Sequence, residues 1–470
     1  MITLRKNQKE PIRKATEFFN TKKPVPSLIV LPTAWGKSIL TAFTAKEIDG
    51  NLLVLQPSKE LLEQNYKKYL TLCGDDLEVK AGIYSASFGR KDINKITYAT
   101  IGSIKNIGKL FKELGFKKML IDEAHLYPRE ADSMLGAFLK DSEISHVLGI
   151  TATPIKLQQN TDLEGNRFSK LQMLTSRSKK GNFFKDILHV GQVQEMVEMG
   201  FWSKLEYKTT GFDSSKLVYN SSRSEYTEES VQLSFLANGI HEKITEELNA
   251  NSDRRHILVF VPSVAEAIQL SKQYPDSAAI YGEMHKAERE KVIDDFRSGK
   301  TRVIFNVRVL STGFDYTGID CIIFGISTAS IALYYQIVGR GTRIDSNKKD
   351  CLIIDLAGNV NRFGRVEDIV FEKDTLWRMY GTGGKLLSGL PIHEIGAVTR
   401  DNLSEKLSKA KQKKEVKTLE IMPFGKYKGE RISDIPTDYK KWMLDKFDWT
   451  PANENLRQSV LLYLHSDFGF

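Results

Sequence analysis

The chain has 470 residues, of which 41% are hydrophobic and 27% are charged. At roughly 150 residues per domain, this length predicts about three domains, and the composition excludes a disordered or fibrous protein. The longest apolar stretches, such as residues 52–55, span a handful of residues, whereas a membrane helix needs about 20. The first eight residues turn polar before a signal peptide could form. We therefore expect a cytoplasmic protein with no membrane partner.

The chain is basic, with 68 lysine and arginine residues against 59 aspartate and glutamate residues, a net charge of +9. This excess favours a polyanionic partner such as nucleic acid, although many basic proteins without one share it. The three cysteines, Cys73, Cys321 and Cys351, lie far apart, and the histidines lack the spacing of metal ligands. We predict neither a disulfide framework nor a zinc site.

Short apolar runs alternate with amphipathic segments, the pattern of buried parallel strands joined by crossover helices. The strands predicted in the first half are 27–31, 52–56, 95–99, 118–121 and 146–150. A second series is predicted at 256–261, 278–281, 303–307, 321–326 and 351–356. The fold class is therefore α/β, with two doubly wound parallel-sheet domains in tandem.

The rest of the chain lacks this alternation. We expect the first domain at 1–155, the second at 251–370, and a connecting segment at 156–250 without strands but with a helix near 190–199. A lysine-rich linker at 371–417 precedes a small, aromatic-rich C-terminal domain at 418–470. Residues 381–385 imitate a phosphate loop, but no strand precedes them, so we predict a flexible linker there.

The first strand runs into a loop that ends in Gly-Lys-Ser and opens a helix. Backbone N–H groups at such a helix start attract phosphates, Lys37 adds a positive charge, and Ser38 can ligate Mg²⁺. The strict pattern is not met, because Leu31 and Ala34 stand where glycines are usual. The residues predicted to bind nucleotide here are Pro32, Thr33, Ala34, Trp35, Gly36, Lys37 and Ser38.

The predicted apolar strand 118–121 is followed directly by two adjacent carboxylates, Asp122 and Glu123, and then by Ala124 and His125. Such a pair suits a divided task, in which one carboxylate holds the metal and the other activates a water molecule. We predict that Asp122 holds Mg²⁺ and that Glu123 is the general base.

These two motifs, in this order, resemble those of superfamily 2 helicases, and specifically of the DEAH-lettered group. The resemblance extends over residues 4 to about 365. Arg5 and Gln8 resemble the adenine-reading segment of that family, and residues 151–154 resemble the motif that couples hydrolysis to domain movement. Two segments are similar to its strand-contacting motifs and contain Pro57, Ser58 and Thr100.

The second domain matches the same family in three places. Residues 260–263 and 310–315 resemble two motifs of the family. The resemblance implies that Ser263 and Ser311 contact nucleic acid and that Gly313 and Asp315 contact the nucleotide. The run at 336–343 contains Gln336, Arg340 and Arg343. We expect its two arginines on adjoining turns of one helix, able to reach a γ-phosphate from across a cleft.

The resemblance implies two RecA-like domains that close on ATP and Mg²⁺ and step along a nucleic-acid strand. The segment 166–185 contains six lysine or arginine residues and no acidic residue. Its Lys179, Lys180 and Lys185 could neutralise phosphates, the alternative being a solvated, disordered loop. The 310–315 motif and His125 look like those of phage recombination helicases and restriction motors, which act on DNA. The tail resembles a small module that also ends some exonucleases. Few residues precede the phosphate loop, which favours a stand-alone motor over a restriction subunit.

The sequence thus favours a monomeric ATP-dependent DNA helicase or translocase that remodels forked and branched DNA, in a bacterial or phage-infected cell. Two alternatives stay open. The chain could act on RNA, or it could be a nucleic-acid clamp that binds ATP without productive unwinding. Glu123, Arg340 and Arg343 disfavour the clamp, because degenerate ATPases usually lack one of these groups.

Overall fold

The computed structural model of the protein describes residues 4–73, 81–127, 133–161, 167–176, 182–221, 225–310, 316–392, 395, 399, 419–447, 456–457, 459–461 and 463. The described residues divide into two compact units. The larger lies within 1–159 and 169–396 and contains two lobes, each built on its own parallel sheet. The smaller lies within 160–168 and 397–470. No helix in these described ranges is both long and apolar enough to cross a membrane.

The first lobe is built on an eight-stranded sheet. The strands of this sheet are β1 (Ser27–Val30), β2 (Leu52–Leu55), β3 (Ala81–Ser85), β4 (Arg90–Lys91), β5 (Ile96–Ala99), β6 (Lys118–Ile121), β7 (His146–Thr151) and β10 (Asp186–Val190). Two further strands, β8 (Ile155–Thr161) and β9 (Arg167–Met173), are not part of it. The order in the sheet is β10-β1-β7-β6-β2-β5-β3-β4, parallel except for β3 with β4, and β8 pairs with β9 in a separate hairpin. Strands β1, β2 and β5 are buried along their whole length, as expected when helices cover both faces.

The α-helices of this lobe that lie in the described ranges follow in chain order. They are α1 (Lys6–Asn20), α2 (Lys37–Glu47), α3 (Lys59–Cys73), α4 (Ile101–Ile104), α5 (Gly108–Glu113), α6 (Met134–Ser142) and α7 (Val193–Glu198). Ile12, Ala15 and Phe19 of α1 are buried at helical spacing and pack into the core beside β1.

The second lobe has six strands, all parallel, in the order β11-β16-β15-β12-β14-β13. They are β11 (Lys204–Thr209), β12 (Ile257–Phe260), β13 (Ser277–Ile280), β14 (Val303–Asn306), β15 (Cys321–Phe324) and β16 (Asp350–Asp355). Its helices are α8 (Glu228–Ala237), α9 (Ile240–Ala250), α10 (Val264–Ser271), α11 (Lys286–Arg297), α12 (Ile331–Gly341) and α13 (Asn359–Phe363). Two tandem parallel-sheet domains are therefore confirmed, and all ten predicted strands are present to within two residues at either end.

The expectation that residues 156–250 lack strands is wrong. This segment supplies β10 to the outer edge of the first sheet and β11 to the outer edge of the second. Both are edge strands with polar residues, such as Lys204, Glu206 and His189, among apolar ones. Because polar residues interrupt them, these two strands do not form the continuous apolar runs from which the other strands were predicted. The predicted helix 190–199 is shorter and begins at Val193.

A hairpin follows the second lobe inside the predicted linker. It consists of β17 (Val370–Lys373) and β18 (Trp377–Tyr380), paired antiparallel. The Gln192 side chain exchanges two hydrogen bonds with the Phe371 backbone, at 2.8 and 3.1 Å, and Lys373 pairs with Asp186 at 2.8 Å. The hairpin is thereby held against the edge of the first sheet.

The turn after this hairpin was predicted to be a flexible linker, and this prediction is wrong for 381–385. The Thr382 hydroxyl donates to Asp368, and it accepts a hydrogen bond from the Arg365 backbone N–H. The Gly381 backbone N–H also donates to the Lys385 carbonyl. These bonds tie the turn to the end of the second lobe.

The smaller unit has its own core. Its helix α14 (Thr437–Lys446) packs with apolar side chains from the preceding loops. The buried residues are Met422, Ile432, Ile435, Met443, Leu456 and Val460. The predicted lysine-rich run at 404–417 lies outside the described residues.

Candidate nucleotide-binding site

The predicted motifs of the first lobe meet at one edge of its sheet. The phosphate loop follows β1, Thr151 ends the neighbouring strand β7, and Asp122 follows β6, which is next in the order. The carboxyl ends of parallel strands form the crevice in which α/β proteins bind ligands. Residues far apart in sequence are therefore brought into one cleft by strand order.

The phosphate loop has a backbone that glycine suits best. Gly36 caps α2 with a φ of +101°, and an added Cβ would lie 2.7 Å from Nε2 of Gln8. Ala34, which stands where the usual pattern has glycine, also adopts a positive φ of +61°. A non-glycine residue in this region is strained, and such strain concentrates at ligand sites. The loop thus keeps the shape of the usual pattern despite the missing glycine.

The Gln8 side chain is hydrogen-bonded to the backbone of the phosphate loop. Its Nε2 donates to the Trp35 carbonyl at 3.1 Å, and its Oε1 accepts from the Arg5 backbone N–H at 3.0 Å. The Arg5 guanidinium lies over the Phe201 ring, 4.1 Å from its centroid. The contacts connect the segment predicted to bind adenine directly to the phosphate loop. Adenine binding by Arg5 and Gln8 stays a prediction.

The two tryptophans near the loop are structural anchors. The Trp35 ring is 1% exposed and packs on Gly191, where an added Cβ would lie 2.7 Å from the ring. Nε1 of Trp202 donates to the Thr33 carbonyl at 3.0 Å. The Trp35 ring therefore fills the core, and its backbone belongs to the phosphate loop. Nucleotide binding by Trp35 stays a prediction.

Lys37 and Glu123 form an ion pair at the centre of the cleft, and their side chains are only 17% and 19% exposed. Burial disfavours the charged ammonium, but attraction to Glu123 and Asp122 outweighs it and raises the pKa of Lys37. Burial likewise opposes ionisation of Glu123, but Lys37, His125 and Arg340 together lower its pKa. Both groups are charged at neutral pH, so a nucleotide phosphate must compete with Glu123 for Lys37.

Asp122 is fully enclosed and held at both oxygens. Asn65 on α3 donates to Oδ2 at 3.1 Å, and the Glu123 backbone N–H donates to Oδ1 at 2.9 Å. Burial, with the nearby charge of Glu123, raises the pKa of Asp122 to about 6. Sequence reasoning missed Asn65. The available signal was a polar residue interrupting the buried stripe of α3, between Leu62 and Tyr69.

This contact gives a testable prediction. Asn65→Ala should raise the Mg²⁺ concentration required for ATP turnover by roughly 10- to 100-fold, the usual effect of losing a group that orients a metal ligand. The measurement is a Mg²⁺ titration of phosphate release at saturating ATP. Lys67→Ala, on the exposed face of the same helix, is the matched control. An unchanged Mg²⁺ requirement in a variant with normal thermal stability contradicts a positioning role for Asn65.

The second lobe reaches into this cleft through α12. The Gln336 amide nitrogen lies 3.4 Å from Nε2 of His125, and Nδ1 of His125 lies 2.9 Å from the Thr151 hydroxyl. An added Cβ at Gly339 would lie 2.8 Å from the Thr33 hydroxyl. A polar chain therefore runs from β7 through His125 to the second lobe.

The two arginines differ in position. Arg340 lies on α12, and its charge contributes to the lowered pKa of Glu123. The helix ends at Gly341, so the expectation that both arginines lie on one helix is wrong for Arg343. Burial lowers the pKa of Lys348, and the charge of Arg343 adds to this effect. Arg340 thus lies on α12, the helix that contacts the phosphate loop, whereas Arg343 lies beyond the end of that helix.

The groups in the cleft fit a nucleotide with Mg²⁺. Lys37 and the amino end of α2 suit phosphates, and Asp122 with the Ser38 hydroxyl suits a hard cation. The Thr153 hydroxyl is buried without a hydrogen-bond partner among the described residues. These residues include no cluster of three or more metal-ligating His, Cys, Asp or Glu side chains. Mg²⁺ commonly uses one or two carboxylates together with phosphate oxygens and water, so this small ligand set suffices.

The predicted nucleic-acid contacts lie at the same sheet edge. Pro57 and Ser58 follow β2, and Thr100 follows its neighbour β5. The Ser58 hydroxyl accepts from the Leu61 N–H at 3.3 Å, and in the second lobe Ser263 caps α10. Lys179, Lys180 and Ser311, which are also predicted to contact nucleic acid, lie outside the described residues, as do the nucleotide-binding candidates Gly313 and Asp315.

Lys185 is described but lies elsewhere. It precedes β10, at the amino end of that strand, and its Nζ donates to the Asn182 carbonyl at 2.7 Å. Because β10 pairs parallel with β1, Lys185 lies at the opposite sheet edge from the cleft. Sequence reasoning also missed the loop after β3, where the Ala86 N–H donates to the Ser103 hydroxyl at 3.0 Å.

Comparison with known families matches three parts of the chain. Residues 1–156 match the family described as type III restriction enzyme, res subunit, and residues 240–345 match the helicase conserved C-terminal domain. Residues 411–454 match a family described as a quorum-sensing-regulated virulence factor. The resemblance of the tail to a module of exonucleases is not confirmed.

Curated relatives cover most of the two lobes. A protein assigned as the mitochondrial ATP-dependent helicase irc3 of Schizosaccharomyces pombe is 28% identical over 71% of this chain and 54% of its own length. A protein assigned as the DNA 3'-5' helicase Rad25 of Haloarcula marismortui is 26% identical, over 61% and 43%. A 51.5 kDa protein of a Lactococcus phage is 23% identical, over 76% and 70%. The chain thus spans about half the length of the two named helicases.

Two solved structures share the fold. The ATP-dependent type ISP restriction-modification enzyme LlaBIII, bound to DNA, has a TM-score of 0.54 and 17% identity over 76% of this chain and 28% of its own. A fragment assigned as the HsdR subunit of a type I restriction enzyme from Vibrio vulnificus has a TM-score of 0.52 and 17% identity, over 74% and 63%. The two structures show the fold alone: two RecA-like parallel-sheet domains in tandem. The family matches add that residues 1–156 and 240–345 are similar to domains of restriction enzymes and helicases.

Proposed function

We propose that the chain is an ATP-dependent DNA helicase or translocase that remodels forked and branched DNA, as in branch migration. The observation that carries the proposal is the cleft in which Lys37, Asp122 and Glu123 of the first lobe face Arg340 of the second. Catalytic groups divided between two lobes make hydrolysis depend on lobe closure. Such dependence converts ATP turnover into movement along a bound strand.

Each group in the cleft has a defined task in this proposal. Lys37 leaves Glu123 to hold the transferred phosphate, and the freed carboxylate orients the attacking water and accepts its proton. Asp122 and Ser38 would hold Mg²⁺, which would neutralise charge on the phosphate oxygens. Arg340 stabilises the charge that develops on the γ-phosphate. Because Gln336 and Thr151 both bind His125, this histidine couples the state of the site to the contact between the lobes.

Two considerations support DNA as the substrate. The Haloarcula relative is named as a DNA helicase and aligns with 61% of this chain. The acidic motif ends in His125, where RNA helicases of the DEAD-lettered group have aspartate. An RNA substrate is the alternative, because a 100-residue segment of the chain is 31% identical to a protein named as the RNA helicase dbp5 of Botryotinia fuckeliana.

The proposal extends to the setting. A phage-encoded relative aligned over 76% of this chain is consistent with recombination or repair of DNA in the cytoplasm of a bacterial or phage-infected cell. We expect a monomer, because the ATP-site groups all lie on one chain.

The deciding experiment compares ATP turnover with no nucleic acid, with single-stranded DNA, with forked or four-way DNA, and with RNA of equal length. We expect the greatest stimulation by forked or four-way DNA, together with strand separation. Stimulation by RNA alone would favour the alternative substrate. Tight ATP binding without turnover on any of them would indicate a clamp.

The basic segment gives a further prediction. Replacing Lys179, Lys180 and Lys185 together by Ala should reduce the slope of log affinity against log salt by roughly two, because each phosphate contact on duplex DNA contributes about 0.9 and Lys185 lies at the opposite sheet edge. Hydrolysis at saturating DNA should stay nearly normal. The measurement is a salt titration of DNA binding, with the exposed Lys286, Lys291 and Lys300 replaced together as the control. Equal slopes in the two triple variants would show that the segment only solvates the surface.

A further inference from the structure

The small C-terminal unit exposes an unusual group of aromatic rings. Trp442 on α14 is 50% exposed and Phe424 is 37% exposed. Each is backed by a second ring, since Trp442 stacks on Tyr439 with centroids 5.3 Å apart and Phe424 stacks on Phe447 at 5.4 Å. Tyr427 packs edge-on against Tyr439 at 4.7 Å. We call these five residues the aromatic surface.

The surface is continuous and shaped by the loop before α14. Gly425, next to Phe424, has a φ of +82°, and an added Cβ there would lie 3.6 Å from the Tyr439 hydroxyl. The two stacked pairs are therefore joined through Gly425. Tyr427, Tyr439 and Phe447 pack against the buried core of the unit, whereas Phe424 and Trp442 are exposed among the described residues.

The charge around the surface indicates what that partner is. Lys426, Lys428 and Lys441 are exposed, and the Lys426 ammonium lies over the Tyr427 ring, 5.2 Å from its centroid. Residues 404–447 contain twelve lysines and arginines against seven acidic residues. More than half of the chain's net charge of +9 thus falls in less than a tenth of its length. Exposed rings beside cations suit unpaired bases on a phosphate backbone.

We propose that the aromatic surface binds a single strand of nucleic acid by stacking bases on Trp442 and Phe424, with the neighbouring lysines on its phosphates. This inference deepens the proposed function and rests on it. The surface would hold a strand exposed by the motor, and it would do so independently of ATP. Stacking does not read sequence, because every base has an aromatic face.

The test measures binding of a fluorescent 20-nucleotide oligo(dT) to the full-length chain without nucleotide. One stacked base contributes about 1–3 kcal/mol, so Trp442→Ala should weaken binding roughly 5- to 150-fold. Trp442→Phe, which keeps an aromatic face, should retain most of the affinity. Leu236→Ala, which removes an equally exposed apolar side chain from α8, is the control. Binding of a blunt duplex should change little in any of these variants.

Two results would overturn the proposal. Unchanged oligo(dT) affinity in Trp442→Ala would mean that the surface serves another partner, such as a peptide. Equal losses for oligo(dT) and duplex would mean that the variant disturbs the unit as a whole. Phosphate release stimulated by forked DNA is measured in parallel, because the motor groups lie in the other unit. A failure of that stimulation in the unmodified chain would count against the proposed function, whereas a failure confined to strand affinity would count against the aromatic surface.

Discussion

Glu123→Gln is expected to leave ATP tightly bound but to slow its hydrolysis by about 10²- to 10⁴-fold, the range typical of a lost general base. The amide cannot accept the proton of the attacking water. It also cannot form the ion pair with Lys37, so the phosphates no longer compete with a carboxylate for the ammonium. We therefore expect ATP affinity to be equal to or higher than that of the unmodified chain.

The measurement pairs equilibrium binding of labelled ATP with single-turnover release of phosphate. Lys37→Ala is the complementary variant, and it should lose tight ATP binding because the phosphates lose their main charged contact. Glu60→Gln, an exposed carboxylate at the start of α3, controls for the change of charge. Near-normal turnover in Glu123→Gln would remove Glu123 from the role of base.

Arg340→Ala should have the second large effect. An arginine that reaches the γ-phosphate across a cleft contributes about 10³- to 10⁵-fold to phosphoryl transfer. The contact is made mainly in the transition state, so the hydrolysis rate should fall far more than the affinity for ATP. The structural reason is that α12, which carries Arg340, packs against the phosphate loop at Gly339 and Thr33, and that the charge of Arg340 helps to lower the pKa of Glu123.

The maximal hydrolysis rate and the ATP affinity are both measured for Arg340→Ala and Arg343→Ala. Arg255→Ala, at an exposed position, is the control. Because α12 ends before Arg343, its alanine variant separates a shared role from a role of Arg340 alone. Parallel losses of rate and affinity in Arg340→Ala would indicate ground-state binding instead. Normal rates in both variants would show that neither arginine acts on ATP.

Much of the fold could be predicted because its central strands are buried on both faces and therefore read as continuous apolar runs. The runs at 52–56 and 257–261 are of this kind, and both form strands. Edge strands such as β10 and β11 were not predicted, because one side of an edge strand faces solvent and tolerates polar residues. The hairpin at 370–380 was not predicted for a different reason. Its stability comes from Gln192 and Asp186, which lie nearly 200 residues earlier in the sequence.

The sequence by itself determined which chemical groups are available for ATP chemistry. The phosphate loop, Asp122, Glu123 and the run at 336–343 are local patterns, and each is bound to a strand end or a helix by its immediate neighbours. Only the tertiary structure decided which of these groups meet. Strand order places β1, β7 and β6 side by side, and the close approach of Gly339 to Thr33 brings α12 of the second lobe against the phosphate loop. Such contacts depend on distances between segments that lie hundreds of residues apart, and no local pattern encodes them. The same reason explains why Asn65 and Trp202 were missed and why the Trp35 ring fills the core instead of the cleft.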